Sequence, residues 1–106
     1  MVSDILPDQG GDDAGMSPHE ILEAALAACT SMTVQLYAQH KQWPLTSCNV
    51  EVKIISEGAE TAFAVQTDFI GDLSEEQKSR LLEIAKKCPV HKILSNPIHI
   101  TNIERV

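Results

Sequence analysis

Aromatic residues are few: one Trp, one Tyr and two Phe in 106 positions. Any core must therefore be built mainly from aliphatic side chains. Positive charge is also scarce. Eight Lys and Arg stand against fifteen Asp and Glu, giving a formal charge of −7 and a pI near 4.9. With no basic run, nucleic acid and anionic membrane are disfavoured as partners. No secretory signal is visible in the first residues, MVSDILPDQGGDDAG, which are acidic and Gly-rich. No segment makes a good membrane span, and the expected setting is cytoplasmic. The chain also lacks a Gly-rich phosphate loop, G-x-S-x-G, H-E-x-x-H and C-x-x-C. Asp12 and Asp13 are not placed for paired-carboxylate catalysis and read as solvated charges. Three cysteines make an odd count without the spacing of a secreted disulfide framework. In a reducing compartment they are free thiols, metal ligands or redox residues.

What is present is organised around Ser17–Lys41. Ser17 can cap a helix, Pro18 suits its first position, and Glu20 completes an S-x-x-E capping box. Ile21, Leu22, Ala25, Leu26, Cys29, Met32, Leu36 and Tyr37 recur at steps of three and four. From Ala24 to Ala38 there is no charge, so the helix is expected to be buried on more than one side. In so short a chain, that burial calls for a second copy. Trp43-Pro44 ends the helix.

Thr46–Ser56 alternates, with Cys48, Val50, Val52 and Ile54 on one face. Thr61–Gly71 places Phe63, Val65 and Phe69 on one face, and the short turn between the two runs predicts an antiparallel hairpin. Ser74 and Gln77 form a second capping box, and Leu81, Leu82, Ile84 and Ala85 form the buried stripe of that helix. A helical turn over Val90–Leu94 and a last strand over Pro97–Arg105 complete the order, with Ile98 and Ile100 inward. That order is α+β: a long central helix on a small mixed sheet, the last strand parallel to Thr61–Gly71.

Cys48 lies on an apolar strand face and reads as a buried hydrophobe. Cys88 precedes Pro89, which puts it at the N-cap of the following turn, where unpaired N–H groups lower a thiol pKa. Lys86, Lys87 and Lys92 add positive charge there. Cys29 sits mid-helix among uncharged neighbours, and burial alone would raise its pKa. On local grounds Cys88 is thus the more acidic thiol. Cys88 and His91 could also hold two corners of a zinc site, with the rest drawn from Cys29, His19, His40 and His99. More simply, His91 is an exposed side chain or a partner of Cys88.

SPHEILEAALAACTSMTVQLYAQHKQWPL, followed by GDLSEEQKSRLLEIAKKCPVHKIL, resembles the OsmC/Ohr family in its OsmC-like branch. The resemblance runs from about Gly10 to the C-terminus, dividing the chain into a leader over 1–16 and an OsmC-like domain over 17–106. It implies an intertwined homodimer and a thiol-dependent peroxidase of organic hydroperoxides, some members also handling hydrogen peroxide. By the resemblance Cys29 is the peroxidatic thiol, becoming a sulfenic acid, and Cys88 the resolving thiol that condenses with it to a disulfide. No cofactor or metal is implied. A dithiol donor, such as a lipoylated protein, restores both thiols. The family's glutamate directly follows the proline; here His19 takes that place and Glu20, one residue on, is the candidate substitute. The family's N-terminal β-region, with the arginine that holds the thiolate, has no counterpart before Ser17, and neither Arg80 nor Arg105 matches that arginine's position. The reading that goes with this shortfall is a truncated, non-enzymatic OsmC-like dimer binding a small apolar molecule or a protein partner.

Overall fold

Pro18–Lys41 (α1) is a helix of 24 residues, seen in a computed structural model that describes residues 16–104. The leader assigned to 1–16 lies outside the described residues apart from Met16. Ser17 caps α1, and both halves of the capping box form: Glu20 N–H donates to Ser17 Oγ at 3.2 Å and Ser17 N–H to Glu20 Oε1 at 3.4 Å. The helix stops at Gln42, whose left-handed backbone (φ 59°) sends its N–H back to the last turn. Trp43 N–H follows, donating to Ala38 O at 2.9 Å. A non-glycine residue thus makes the stop, before Pro44 is reached.

Leu45–Ser56 (β1) and Ala62–Gly71 (β2) pair antiparallel, with Cys48 opposite Phe69 and Val52 opposite Val65. Glu75–Ala85 (α2) and Pro89–Ser95 (α3) follow. The Ser74–Gln77 capping box forms at the start of α2. The class is α+β, with α1 at the centre packed on β1, α2 and α3.

Two clusters make the core. One joins Val34, Ala38, Cys48, Leu81 and Ala85, flanked by Tyr37, Trp43 and Phe69. The other joins Leu26, Val52 and Cys88, flanked by Cys29, Phe63 and Val90. Both use one stripe of α1: Leu26, Thr30, Val34 and Ala38, spaced by four. Although α1 has the length and composition of a membrane span, this stripe is committed to packing. The rest of its apolar surface is open within one chain. Met32 is 63% and Leu36 62% exposed.

Three expectations need correction. Residues 97–104 form no strand, so among the described residues the sheet is a two-stranded antiparallel hairpin and not a mixed one. Ile98 and Ile100 point outward, Ile100 at 84% exposure. An alternating pattern makes a strand only where a neighbouring edge takes up its backbone groups, and no described strand does so here. Leu82 is exposed and the α2 stripe is Leu81, Ile84 and Ala85, because a helix of three turns offers α1 a narrower face. Finally, α3 is longer than Val90–Leu94, since Pro89 suits the first helical position and the turn continues to Ser95.

Candidate functional site

α1 presents Cys29 half-buried beside the second core cluster. The α2–α3 junction brings Cys88 to the same place from the other end of the chain. Pro89 starts α3 and leaves Cys88 as its N-cap, with Sγ accepting from His91 N–H at 3.4 Å. Cys88 is fully buried. Both thiols belong to the second core cluster, and each acts on the acidity of the other.

Their acidities separate. Burial pushes the Cys29 thiol up, yet hydrogen bonds from the Cys88 thiol, the Val90 backbone N–H and the Thr33 hydroxyl outweigh it and hold Cys29 below the usual thiol value. Thr33 has one proton, and it is engaged on Cys29 O at 2.8 Å. The Cys88 thiol and the Val90 amide are therefore the donors that count. Cys88 goes the other way. Burial and its role as donor to Cys29 raise it, against the His91 and Val90 amides and the Thr30 hydroxyl. The local argument had made Cys88 the more acidic thiol. It is reversed because the N-cap amide acts on a buried sulfur that already gives its proton to a neighbour.

The remaining candidates are elsewhere. Glu20 is engaged in the capping box. Nine residues of helix separate it from Cys29, roughly 13 Å of rise, so one chain does not bring the two together. Arg80 Nε donates to Tyr37 Oη at 3.1 Å and its Nη1 meets Glu83 at 2.9 Å, beside the first cluster. Arg105 lies outside the described residues. His19 pairs with Glu57 at 2.7 Å. The His91 ring turns to Ser95 Oγ at 3.3 Å. Among the described residues no three metal-ligating side chains gather, and Cys88 meets the backbone of His91, not its ring. The zinc arrangement is therefore not formed.

Two features escaped the reading of the sequence. One is the Val90 amide on Cys29, which belongs to an element 61 residues away. The other is Thr30, buried directly after Cys29. Its signal was its place on the i, i+4 stripe with Leu26, Val34 and Ala38.

A family model described as OsmC-like protein matches residues 10–102. Among solved structures, an osmotic stress induced and detoxification response protein from Psychrobacter arcticus is 20% identical with a TM-score of 0.70, over 85% of this chain and 68% of that one. An OsmC-like hydroperoxide resistance protein from Jannaschia sp. is 21% identical with a TM-score of 0.65, over 89% and 69%. An organic hydroperoxide resistance protein from Vibrio cholerae, with captopril in one active site, is 24% identical with a TM-score of 0.60, over 84% and 65%. These likenesses are of fold. Among curated proteins nothing matches.

Proposed function

The chain belongs to the OsmC-like protein family, and from that premise we propose that it is a thiol-dependent peroxidase acting on organic hydroperoxides. The observation that carries the reading is the Cys29–Cys88 pair. Two separate segments deliver two thiols to one place, the more acidic one the more exposed. The hydroperoxide resistance proteins that share the fold support the substrate class.

In the proposed cycle the Cys29 thiolate attacks the terminal oxygen of R–O–O–H. The O–O bond breaks, Cys29 becomes a sulfenic acid, and the alkoxide leaves and is protonated to the alcohol. Cys88 Sγ then attacks Cys29 Sγ. The S–S bond forms, the S–O bond breaks, and the displaced hydroxide leaves as water with the proton that Cys88 gave up. A dithiol reductant, such as a lipoylated protein, takes the disulfide and returns both thiols. Neutral donors take the place of a cation in this reading: the Cys88 thiol and the Val90 amide hold the thiolate. Glu20 is occupied by its cap, and the cycle runs without it.

A homodimer belongs to the proposal. Leu22, Met32 and Leu36 on α1 form an apolar surface that a second copy would cover. Free thiols and a dithiol donor suit the reducing cytoplasm.

Purified protein is expected to consume an organic hydroperoxide with a dithiol donor, and Cys29→Ser to abolish turnover. Unchanged turnover in Cys29→Ser would sink the assignment. An unchanged free-thiol count after peroxide treatment would favour the non-enzymatic, ligand-binding reading instead.

A further inference from the structure

The Thr30 hydroxyl serves no purpose in the packing. Thr30 is 1% exposed, on the α1 stripe between Leu26 and Val34. Its Oγ1 has no well-formed hydrogen-bond partner, the one buried side-chain polar atom among the described residues so placed. Valine has the same shape without that penalty. The Cys88 thiol is near enough for that hydroxyl to oppose the rise in its pKa. The His91 N–H donates to the same sulfur at 3.4 Å. Thr30 and His91 also line a cavity of about 240 Å³, walled by Phe63, Leu82, Ala85 and the charged Lys86.

We propose that Thr30 is a positioning residue for the resolving thiol, its hydroxyl donating to the Cys88 sulfur as that sulfur becomes an anion. This rests on the resolving role proposed above for Cys88. In the resting protein Cys88 is protonated and donates to Cys29, so it is a weak acceptor and Thr30 has little to bond. Once Cys29 is a sulfenic acid, Cys88 must lose its proton to attack. A buried hydroxyl already in place then gains a charged acceptor without reorganising. The orphaned hydroxyl is thus a donor set in advance of the charge it serves, and it completes a pair with the His91 amide.

The test follows the Cys88 Cβ chemical shift against pH in protein labelled with ¹³C-cysteine, on a Cys29→Ala background, with Thr, Val or Ser at position 30. Thr30→Val is expected to raise the Cys88 midpoint by about one pH unit, a tenfold loss of thiolate at a given pH. Thr30→Ser is expected to restore most of it. Melting temperature should hold or rise in Thr30→Val, because an unpaired buried hydroxyl is removed. Equal midpoints with Thr and Val, or a Ser variant that behaves like Val, would overturn the proposal. The same titration in protein retaining Cys29 covers failure of the Cys29→Ala background to fold. Since the titration needs no peroxide, it reads Thr30 whether or not Cys29 turns over.

Discussion

The two ends of the core treat their thiols oppositely. At the α2 end Cys48 packs with Val34, Leu81 and Ala85, and burial pushes its thiol up. The Ser31 hydroxyl opposes that rise, and the Asp68 carboxylate adds to it. Ser31, however, spends its proton on Cys48 O, at 3.3 Å. Cys29 has the same arrangement on its own helix, with Thr33 on its carbonyl at 2.8 Å. The difference is α3. Only Cys29 has a second thiol and a helix-start amide brought to it. Burial sets a thiol's default, and the donors delivered by another element reverse it. One end of the core should therefore answer to mutation in stability, the other in chemistry.

The largest effect expected is at the structural end. A Cβ on Gly71 would meet Pro44 O at 2.1 Å with the backbone at φ +153°. Backbone crowds it, so no side chain can yield. Gly71→Ala is expected to cost about 3 kcal/mol or more in denaturant unfolding. Whatever fraction stays folded should keep the thiol pair's pH profile, and a changed profile would break the division between the two ends.

Next comes the donor to Cys29. Cys88→Ala removes a hydrogen bond that favours the thiolate, so the Cys29 pKa should rise. The thiolate lost is that present below the ordinary thiol range, and alkylation of Cys29 near pH 7 should slow about tenfold. An unchanged alkylation profile would mean that the Val90 amide alone sets its acidity.

The smallest change sharpens the contrast. Cys48→Ala deletes one buried sulfur and should cost about 1 kcal/mol. Peroxide consumption per folded molecule should be unaltered. A loss there would move Cys48 from packing into the chemistry.

Much of the fold was legible because its signals are local. Ser17 with Glu20, and Ser74 with Gln77, mark helix starts within four residues each. The alternation in Leu45–Ser56 and Ala62–Gly71 names the hairpin and its inner face. Pro89 places Cys88 at a cap. The α1 terminator was missed because a left-handed Gln42 looks like any glutamine in a sequence. The last strand was over-read because Ile98 and Ile100 carry a pattern without saying which edge receives it. The site was half legible. The motifs gave the two cysteines, but their order of acidity depends on contacts between α1 and α3, and local spacing pointed the wrong way.

Cys88 has a structural duty beside its proposed chemical one. Its sulfur is the cap of α3, a helix of seven residues with no fully buried side chain. The lone pairs that accept the His91 N–H are the same ones the proposed attack on Cys29 would draw on. The chain beyond Ser95 hangs from this helix, its isoleucines facing outward. In the proposed cycle a disulfide at Cys88 would therefore form at the cap of the helix that leads into the exposed Ile98, Ile100 and Ile103.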